Sequence, residues 1–336
     1  MSNWFVELTG FEETTYAETR SKLSVNGTQL VSHANGRGWE IGHLETPSLA
    51  ELRAQAGPLL DRTRGKLKIS NVVADAHAMH ANPEAKNALV QVASQFNLLE
   101  MTSQWVSPDG GVTCYQDDKT QGPACAIAAG PATIYRNYFA PVGQQTGQTA
   151  KHQINTLADL LSVLPGGQGI HMRNGYALAY DTATLRTIGE AIAGASPSQL
   201  DHWRSLLRIG LHWNVEVTAA GPGTGQRLTQ ALCSALPISY SALGDADEWE
   251  PFGRLVLEAA YEATLWAGVI NAARNGNSKV YLTLVGGGAF DNKRVWILDA
   301  IQRAIHAVGN QALDVQIISY KNVYDDLKRL VAVHGN

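Results

Sequence analysis

The sequence has few cysteines, few charged residues and little charge imbalance. Its 336 residues include three cysteines, Cys114, Cys125 and Cys233, which cannot all pair and form no CxxC motif. This usage predicts a protein of a reduced compartment rather than a disulfide scaffold. Charged residues make up 17% of the chain, and Lys+Arg 26 against Asp+Glu 30 gives a net charge of −4. That balance argues against a broad nucleic-acid-binding surface.

Long apolar runs are also missing. The longest stretch of small apolar residues, 123–134, is too short to span a bilayer. The first seven residues, MSNWFVE, lack the charged and apolar regions of a signal peptide. We therefore expect no membrane partner and a cytoplasmic location, or a secreted effector that acts in a cytosol.

Several common catalytic motifs do not occur. The chain has no GxxxxGK[ST], GxSxG or HExxH motif, and no GxGxxG after an early strand, which disfavours NTPases, serine hydrolases, metalloproteases and NAD oxidoreductases. Asp75, His77 and His80 form a D-x-H-x-x-H pattern that could ligate a metal, but no fourth partner stands at a recognisable spacing. The small residues around Cys125 favour a packing role over a nucleophile. We predict neither a metal nor a cofactor.

What the chain does contain is an apolar, β-rich run at 279–285 that leads directly into Gly286-Gly287-Gly288. Apolar residues at helical spacing follow from Trp296 to Ile305. A glycine turn between a strand and a helix lets backbone N–H groups approach an anion, and the helix N-terminus adds a favourable dipole. The segment predicts a phosphate-binding loop, with a plain strand–helix turn as the alternative.

Alternating strands and helices predict an α/β protein with three αβα layers around a mixed, mostly parallel sheet. We expect residues 1–65 to be an N-terminal elaboration packed on the core and residues 66–336 to form one catalytic domain. Among the predicted elements are strands at 66–74, 113–115, 211–218 and 315–319, and helices at 84–101, 122–138, 196–207 and 251–270.

Polar residues in three segments are candidates for the chemistry. Asp117 and Asp118 precede the helix start Gly122-Pro123 and could hold ribose hydroxyls or orient a water, or simply cap the helix. Gln95, Asn97 and Glu100 interrupt an apolar segment, where polar groups need partners or a ligand. The alternation in 211–218 places His212, Asn214, Glu216 and Thr218 on one strand face, which either lines a cleft or is the wet face of an edge strand.

The segment 284–290, LVGGGAF, resembles the second phosphate-binding loop of macrodomains and the Gly-Ala-Phe-Gly segment of poly(ADP-ribose) glycohydrolases. Asp291 and Asn292 stand where the glycohydrolases have glycine. The run 69–74 is similar to the macrodomain strand before the first loop, but 76–83 replaces that glycine-rich loop, and 95–100 only echoes the glycohydrolase Gln-Glu-Glu. The chain most resembles a divergent branch of macrodomain-type ADP-ribosyl hydrolases, which includes bacterial effectors that remove ADP-ribose from ubiquitin.

This resemblance implies a macrodomain-like fold and a hydrolase that cleaves N- or O-glycosidic ADP-ribosyl bonds, with ADP-ribose or an ADP-ribosylated protein as its partner. A carboxylate would assist attack of water at the ribose anomeric carbon. A non-catalytic ADP-ribose reader is the alternative. The candidate catalytic residues are Glu216, Asp117, Asp118, Glu100 and Asn214. The candidate ligand-binding residues are Asn71, Gln95, Asn97, Gln121, Gly122, Gly286, Gly287, Gly288, Ala289, Phe290 and Asn292.

Overall fold

The computed structural model describes residues 3–241, 243 and 246–334. The helices are α1 (Trp4–Thr9), α2 (Tyr16–Ser21), α3 (Leu49–Ala56), α4 (Ala76–Ala81), α5 (Gln121–Ala128), α6 (Gly130–Tyr138), α7 (Ala158–Val163), α8 (Thr182–Gly194), α9 (Pro197–Leu206), α10 (Ala246–Asn275), α11 (Arg294–Val308) and α12 (Asp325–His334). The strands are β1 (Leu23–Asn26), β2 (Gln29–Ser32), β3 (Gly38–Glu40), β4 (His43–Glu45), β5 (Lys68–Val73), β6 (Leu89–Ala93), β7 (Pro141–Val142), β8 (Gln145–Thr146), β9 (Ile170–Arg173), β10 (Tyr176–Ala179), β11 (Gly210–Glu216), β12 (Arg227–Cys233), β13 (Lys279–Leu282) and β14 (Asp314–Ser319).

A seven-stranded sheet in the order β4-β11-β12-β6-β13-β14-β5 forms the centre of the molecule. The strands from β12 to β5 are all parallel, whereas β11 is antiparallel to both β12 and β4. The sheet is therefore mixed and mostly parallel, and within it β11 alone runs against the other six strands. The carboxyl ends of β5, β6, β12, β13 and β14 consequently meet at one edge.

Helices cover both faces of this sheet. Alternate residues of the strands divide between two apolar clusters: Leu89 packs with the long helix α10 and with α3, α8 and α11, whereas Val90 and Val92 pack with α4, α5 and α6. Burial on both faces is the usual setting of parallel strands. The predicted three-layer αβα arrangement with a mixed, mostly parallel sheet is confirmed, and it is the arrangement that the resemblance to macrodomains implied.

The first 65 residues do not stand apart from this core. The sheet β1-β2-β3 packs with α1 and α6 in a third apolar cluster, which also contains Leu99, Met101 and Tyr176. Strand β4 extends the central sheet at β11, and α3 packs on α10. The N-terminal region thus contributes both to the main sheet and to the packing around residues 99–101.

Three predicted elements were wrong. Residues 84–101 form strand β6 and a loop rather than one helix, because Leu89, Val90 and Val92 are buried on both sheet faces and give no strand alternation. Residues 113–115 lie in the 3-10 helix Thr113–Asp117 rather than in a strand. The helix expected over 122–138 is interrupted at Ala129, between α5 and α6, because Pro131 cannot continue the hydrogen-bond ladder.

Strand β11 also departs from simple alternation. Its pairing with β12 shifts between His212 and Val215, and Asn214 adopts a left-handed backbone with φ 56°. This β-bulge leaves Asn214 exposed, whereas His212 is fully buried. The polar residues of the segment therefore do not share one face as predicted.

Candidate functional site

A cleft lies at the carboxyl ends of the parallel strands, where β6 stands between β12 and β13. The chain leaves β6 toward β11 and β12 on one side and returns on the other side as β13. Crevices form at such reversals of strand order because the two connections diverge, and ligands of α/β proteins bind there. The residues after β6, β12 and β13 line this cleft, together with the start of α5.

The glycine loop after β13 forms one wall. Gly286 adopts a left-handed backbone with φ 81°, and a Cβ at this position would lie 2.4 Å from the Cβ of Ala235. Only glycine fits that turn. Asn292 fixes the loop from behind, because its Nδ2 donates to the carbonyl of Leu236 at 2.8 Å and its backbone N–H donates to that of Gly286 at 2.9 Å.

Two sets of backbone N–H groups are available to a ligand. Within the described residues, the N–H groups of Gly288, Ala289 and Phe290 have no protein acceptor. The same holds for Gln121 and Gly122 at the start of α5, whose N-cap residue makes no side-chain cap. Both sets line the cleft. Unpartnered N–H groups on a glycine loop and at a helix N-terminus favour an anion such as a pyrophosphate.

Glu100 is the carboxylate most deeply placed in the cleft. Only 7% of the residue is exposed, and among described residues none donates a hydrogen bond to its carboxylate or forms an ion pair with it. Burial raises the pKa of Glu100 well above its ordinary value, Arg136 opposes this shift, and Asp118 adds to it. A carboxyl whose pKa is raised by burial holds its proton to a higher pH than a free carboxyl does, which suits it to act as an acid and then as a base.

The position of Glu100 is set by its neighbours. Its backbone N–H donates to the hydroxyl of the buried Tyr115 at 3.0 Å. Its carboxylate lies against Gly122, where a Cβ would be 2.2 Å from Oε2. Glycine at position 122 therefore lets the first turn of α5 approach the carboxylate.

Arg136 holds the chain segment before Glu100 in place. It is fully buried, and its guanidinium donates to the carbonyl of Leu98 at 3.0 Å, to Thr133 Oγ1 at 2.9 Å and to His212 Nδ1 at 3.1 Å. Burial lowers the pKa of Arg136 to about 10, which leaves it charged at neutral pH. It thus fixes the backbone before Glu100 and supplies positive potential without neutralising the carboxylate directly.

Aromatic side chains close the Glu100 end of the cleft. Tyr176, Tyr240 and Phe290 pack in a triangle with ring centroids 5.0–5.6 Å apart. The hydroxyl of Tyr176 donates to the carbonyl of Met101 at 2.7 Å, which ties this wall to the Glu100 segment. Such rings offer an apolar surface on which a sugar can rest.

The cleft continues past the glycine loop into a second, more apolar half of about 380 Å³. Thr120, Gln121, Leu284, Gly288 and Ala289 line both halves, so the two form one elongated site. Residues near the carboxyl ends of β5 and β14 and next to the start of α12 line this second half: Ala74, Asp75, Ala76, His77, Ile318, Tyr320 and Tyr324. An apolar, aromatic half therefore lies beside N–H groups that have no acceptor among the described residues.

Most of the residues predicted for the site meet in this cleft: Glu100, Asp118, Gln95, Gln121, Gly122, Gly286, Gly287, Gly288, Ala289 and Phe290. Asn292 stands behind the glycine loop. Asn97 lies behind the Glu100 segment, where it donates to Gln153 Oε1 at 2.9 Å, and Asn71 donates to the carbonyl of Ile317 and to Ser319. Asp117 is exposed at the end of its 3-10 helix.

Glu216 and Asn214 lie elsewhere. Because β11 is antiparallel to β12, its carboxyl end pairs with the start of β12, at the sheet edge opposite the cleft. Glu216 Oε2 accepts the N–H of Glu40 at 2.9 Å, and the residue lines a separate surface pocket with Trp4 and Trp39. The structure thus does not bring these two candidates to the other site residues.

The candidate metal ligands Asp75 and His80 make separate contacts. Asp75 caps α4, and His80 is buried, with Nδ1 2.7 Å from the carbonyl of Ala76 and Nε2 3.1 Å from Gln230. No group of three metal-ligating side chains is found in the part of the chain that the structure describes. Cys125 is buried too, and burial raises the pKa of its thiol well above the ordinary value, in keeping with a packing role.

Sequence reasoning missed several lining residues. Tyr320 and Asp75 follow the parallel strands β14 and β5, and that placement was a usable signal, because carboxyl ends of parallel strands share one edge. Tyr176 and Tyr240 come from a hairpin and a 3-10 turn and gave no comparable signal.

The chain is similar to solved poly(ADP-ribose) glycohydrolases. One, from Thermomonospora curvata, is 12% identical, with 95% of this chain and 97% of that chain covered and a TM-score of 0.42. Another, from Deinococcus radiodurans in complex with ADP-ribose, is 10% identical, with 86% and 94% covered and a TM-score of 0.44.

No family model matches the chain, and no curated protein matches it in sequence. Among the described residues, no helix is long and apolar enough to cross a membrane.

Proposed function

We propose that this protein is a hydrolase that binds ADP-ribose in the cleft and releases it from a modified macromolecule. The observation that carries the proposal is the buried, unneutralised carboxyl of Glu100 at one end of a cleft with free backbone N–H groups. A reader that only binds ADP-ribose needs the N–H groups but has no use for such a carboxyl, which is costly to bury.

The two halves of the cleft fit the two ends of ADP-ribose. The adenosine would occupy the apolar half beside Asp75, Tyr320 and Tyr324. The pyrophosphate would accept from the N–H groups of Gly288 to Phe290 on one side and of Gln121 and Gly122 on the other. The distal ribose would then rest on Phe290 and Tyr176, with its anomeric carbon toward Glu100.

Glu100 would move protons in both halves of the reaction. Its protonated carboxyl donates a proton to the leaving atom while the glycosidic bond breaks and positive charge develops on the ribose ring. The carboxylate that remains stabilises this charge and then accepts a proton from water as the water oxygen bonds to the anomeric carbon. Asp118, at the mouth of the same cleft, adds negative potential and raises the pKa of Glu100.

The test is a Glu100→Gln variant, in which the amide keeps the size of the side chain but cannot exchange a proton. ADP-ribose release from a mono-ADP-ribosylated protein should fall about 10²–10⁴-fold, the usual contribution of one acid–base group. Calorimetric binding of ADP-ribose should persist, because the N–H groups are untouched. Binding without release by the wild-type protein would establish the reader instead.

Glu216→Gln is the comparison variant, since it changes the same side chain at the opposite edge of the sheet. The proposal requires a large loss of turnover at Glu100 and none at Glu216. A loss only at Glu216 would disprove the assignment of the site.

A further inference from the structure

The N-terminal region is connected to the Glu100 segment through one carboxylate, that of Glu13. We propose that Glu13 is a positioning residue for the reaction, because it holds the 3-10 helix Thr113–Asp117, and that helix in turn holds the backbone of Glu100. The inference rests on the proposed function, since it concerns how Glu100 is placed. It gives the N-terminal region a part in turnover besides its part in the fold.

The carboxylate of Glu13 caps this helix, although it lies 99 residues before Val112 in the chain. The N–H of Val112 donates to its two oxygens at 2.9 and 2.8 Å, and the N–H of Thr113 donates to Oε2 at 2.6 Å. The first N–H groups of a helix have no partner within it, and the N-cap residue Val112 makes no side-chain cap. Hydrogen bonds to a carboxylate are stronger than those to a neutral acceptor. Glu13 therefore sets where the helix begins.

The surroundings of Glu13 are shaped to accept this carboxylate. The hydroxyl of Tyr138 donates to Oε1 at 2.7 Å. Gly111 has a left-handed backbone with φ 77°, and a Cβ there would lie 2.2 Å from Glu13 Cδ, so only glycine leaves room. The indole of Trp4, in α1, donates to the carbonyl of Thr113 at 3.2 Å. The N-terminal region thus contacts both the N–H groups and a carbonyl of the first turn.

The same helix holds Glu100 one turn later. Tyr115 is fully buried, and its hydroxyl accepts the N–H of Glu100 at 3.0 Å. Within the described residues, this is the one hydrogen bond that the N–H of Glu100 makes. The N–H of Tyr115 donates to the carbonyl of Val112 at 3.2 Å. A displacement of Val112 therefore moves Tyr115 and, with it, the backbone from which the Glu100 carboxyl extends.

A short 3-10 helix depends on outside contacts for its position, because its own hydrogen bonds are poorly aligned. Tyr115 is buried in the apolar cluster that contains Leu99 and Met101, and Glu13 holds the N-terminus of the helix. The helix is not part of the central sheet. Loss of the Glu13 carboxylate should consequently shift the first turn of the helix and leave the sheet folded.

The kinetic test is Glu13→Ala, with Glu13→Gln as the conservative variant. In Glu13→Ala, kcat for release of ADP-ribose from a mono-ADP-ribosylated protein should fall about 10- to 100-fold, as expected for a misplaced catalytic group. The Kd of ADP-ribose should stay within about twofold, because the N–H groups that we propose to bind the pyrophosphate are untouched. Glu13→Gln should keep kcat within about threefold of the wild type, since its amide oxygen still accepts N–H groups. A folded Glu13→Ala protein with the kcat of the wild type would overturn the inference, as would a loss confined to binding.

Glu51→Ala is the matched control. Glu51 also accepts a backbone N–H at the start of a helix, that of Ser48 at 2.8 Å, but it belongs to α3, which packs on the sheet face opposite α5. Its loss should lower the midpoint of thermal unfolding and leave kcat unchanged. A similar fall of kcat in this control would show a general effect of stability and count against Glu13.

A double variant tests the route through Tyr115. Tyr115→Phe removes the acceptor of the Glu100 N–H. Residues that act through one shared contact are not additive, so Glu13→Ala combined with Tyr115→Phe should lose no more kcat than the more damaged single variant. Losses of kcat that multiply would overturn the proposed route.

Hydrogen exchange separates failure of this inference from failure of the proposed function. Followed by NMR, the amide of Glu100 should exchange about 10-fold faster in Glu13→Ala than in the wild type, relative to the amide of Leu265 in α10, whether or not the protein releases ADP-ribose. Glu51→Ala should leave this ratio unchanged. Trp4→Phe removes only the indole N–H and should raise the exchange rate of Glu100 about 2- to 5-fold, which keeps the test available even where Glu13→Ala does not fold. An unchanged exchange rate of Glu100 in these variants would overturn the inference while the proposed function stands.

Discussion

Replacing Gly122 with alanine should lower turnover, because the added methyl group would displace the Glu100 carboxylate. A Cβ at this position would lie 2.2 Å from Oε2 of Glu100 and 2.8 Å from the carbonyl oxygen of Ala93, whereas ordinary contacts of this kind are about 3.5 Å. The carboxylate must therefore move by about 1 Å, because the carbonyl oxygen of Ala93 belongs to the backbone and can move only slightly. A misplacement of that size costs about 10²-fold in turnover.

The same substitution should cost about 1–3 kcal/mol of folding stability, as overpacking of a close contact does. Gly189→Ala in α8 is the matched control, because its Cβ would meet only Pro251 Cγ at 3.6 Å. In a helix this exchange should be neutral or stabilising by about 0.5–1 kcal/mol. Thermal unfolding measures the change in stability, calorimetry measures the affinity for ADP-ribose, and release of ADP-ribose from a modified protein measures turnover.

Comparing the two variants distinguishes the effect of moving the Glu100 carboxyl from the effect of removing it. Glu100→Gln should keep ADP-ribose binding, whereas Gly122→Ala should weaken it as well, since the new methyl stands beside an N–H group that we propose to bind the pyrophosphate. A folded Gly122→Ala protein with turnover within about twofold of the wild type would refute the reasoning, because Glu100 could then act from a displaced position.

Three further predictions follow from the same groups. Folding raises the pKa of the Glu100 carboxyl, so the folded protein loses stability when the pH rises above the ordinary pKa of a glutamate. In chemical denaturation, Glu100→Gln should therefore be more stable than the wild type at pH 8 and equally stable at pH 4. Burial lowers the pKa of His80 from 6.5 to about 4, so in the Glu100→Gln protein, which lacks the opposing effect of Glu100, stability should be lost as pH falls through that interval, by about 3 kcal/mol from this residue; a flat profile of that variant would contradict it. Asn292→Ala should release the glycine loop, with about 1–3 kcal/mol lost in thermal unfolding and weaker ADP-ribose binding by calorimetry; unchanged affinity would show that the loop holds its shape without this side chain.

Local patterns in the sequence were sufficient where one element decides the structure. The run into Gly286 and the helix α11 are each specified within a few residues, and the structure contains both. Residues 84–101 were misjudged because burial on both faces removes the alternation by which a strand is recognised.

The candidate carboxylates show more clearly what could not be predicted from the sequence. The sequence did not distinguish Glu100 near the end of a predicted helix, Asp118 before a helix start and Glu216 within a predicted strand. The direction of β11, which no local signal encodes, places Glu216 at the far edge of the sheet. The approach of Gly122 to Glu100 likewise depends on how α5 packs against the end of β6.

The sequence by itself determined the αβα layering, the glycine loop and the set of polar residues from which a site could form, because periodicity and turn chemistry act over short distances. Only the tertiary structure decided which of those residues meet, since strand order and direction are set by packing across the whole sheet. It also decided which carboxyl has a raised pKa, because the cost of burying a charge depends on everything that surrounds it.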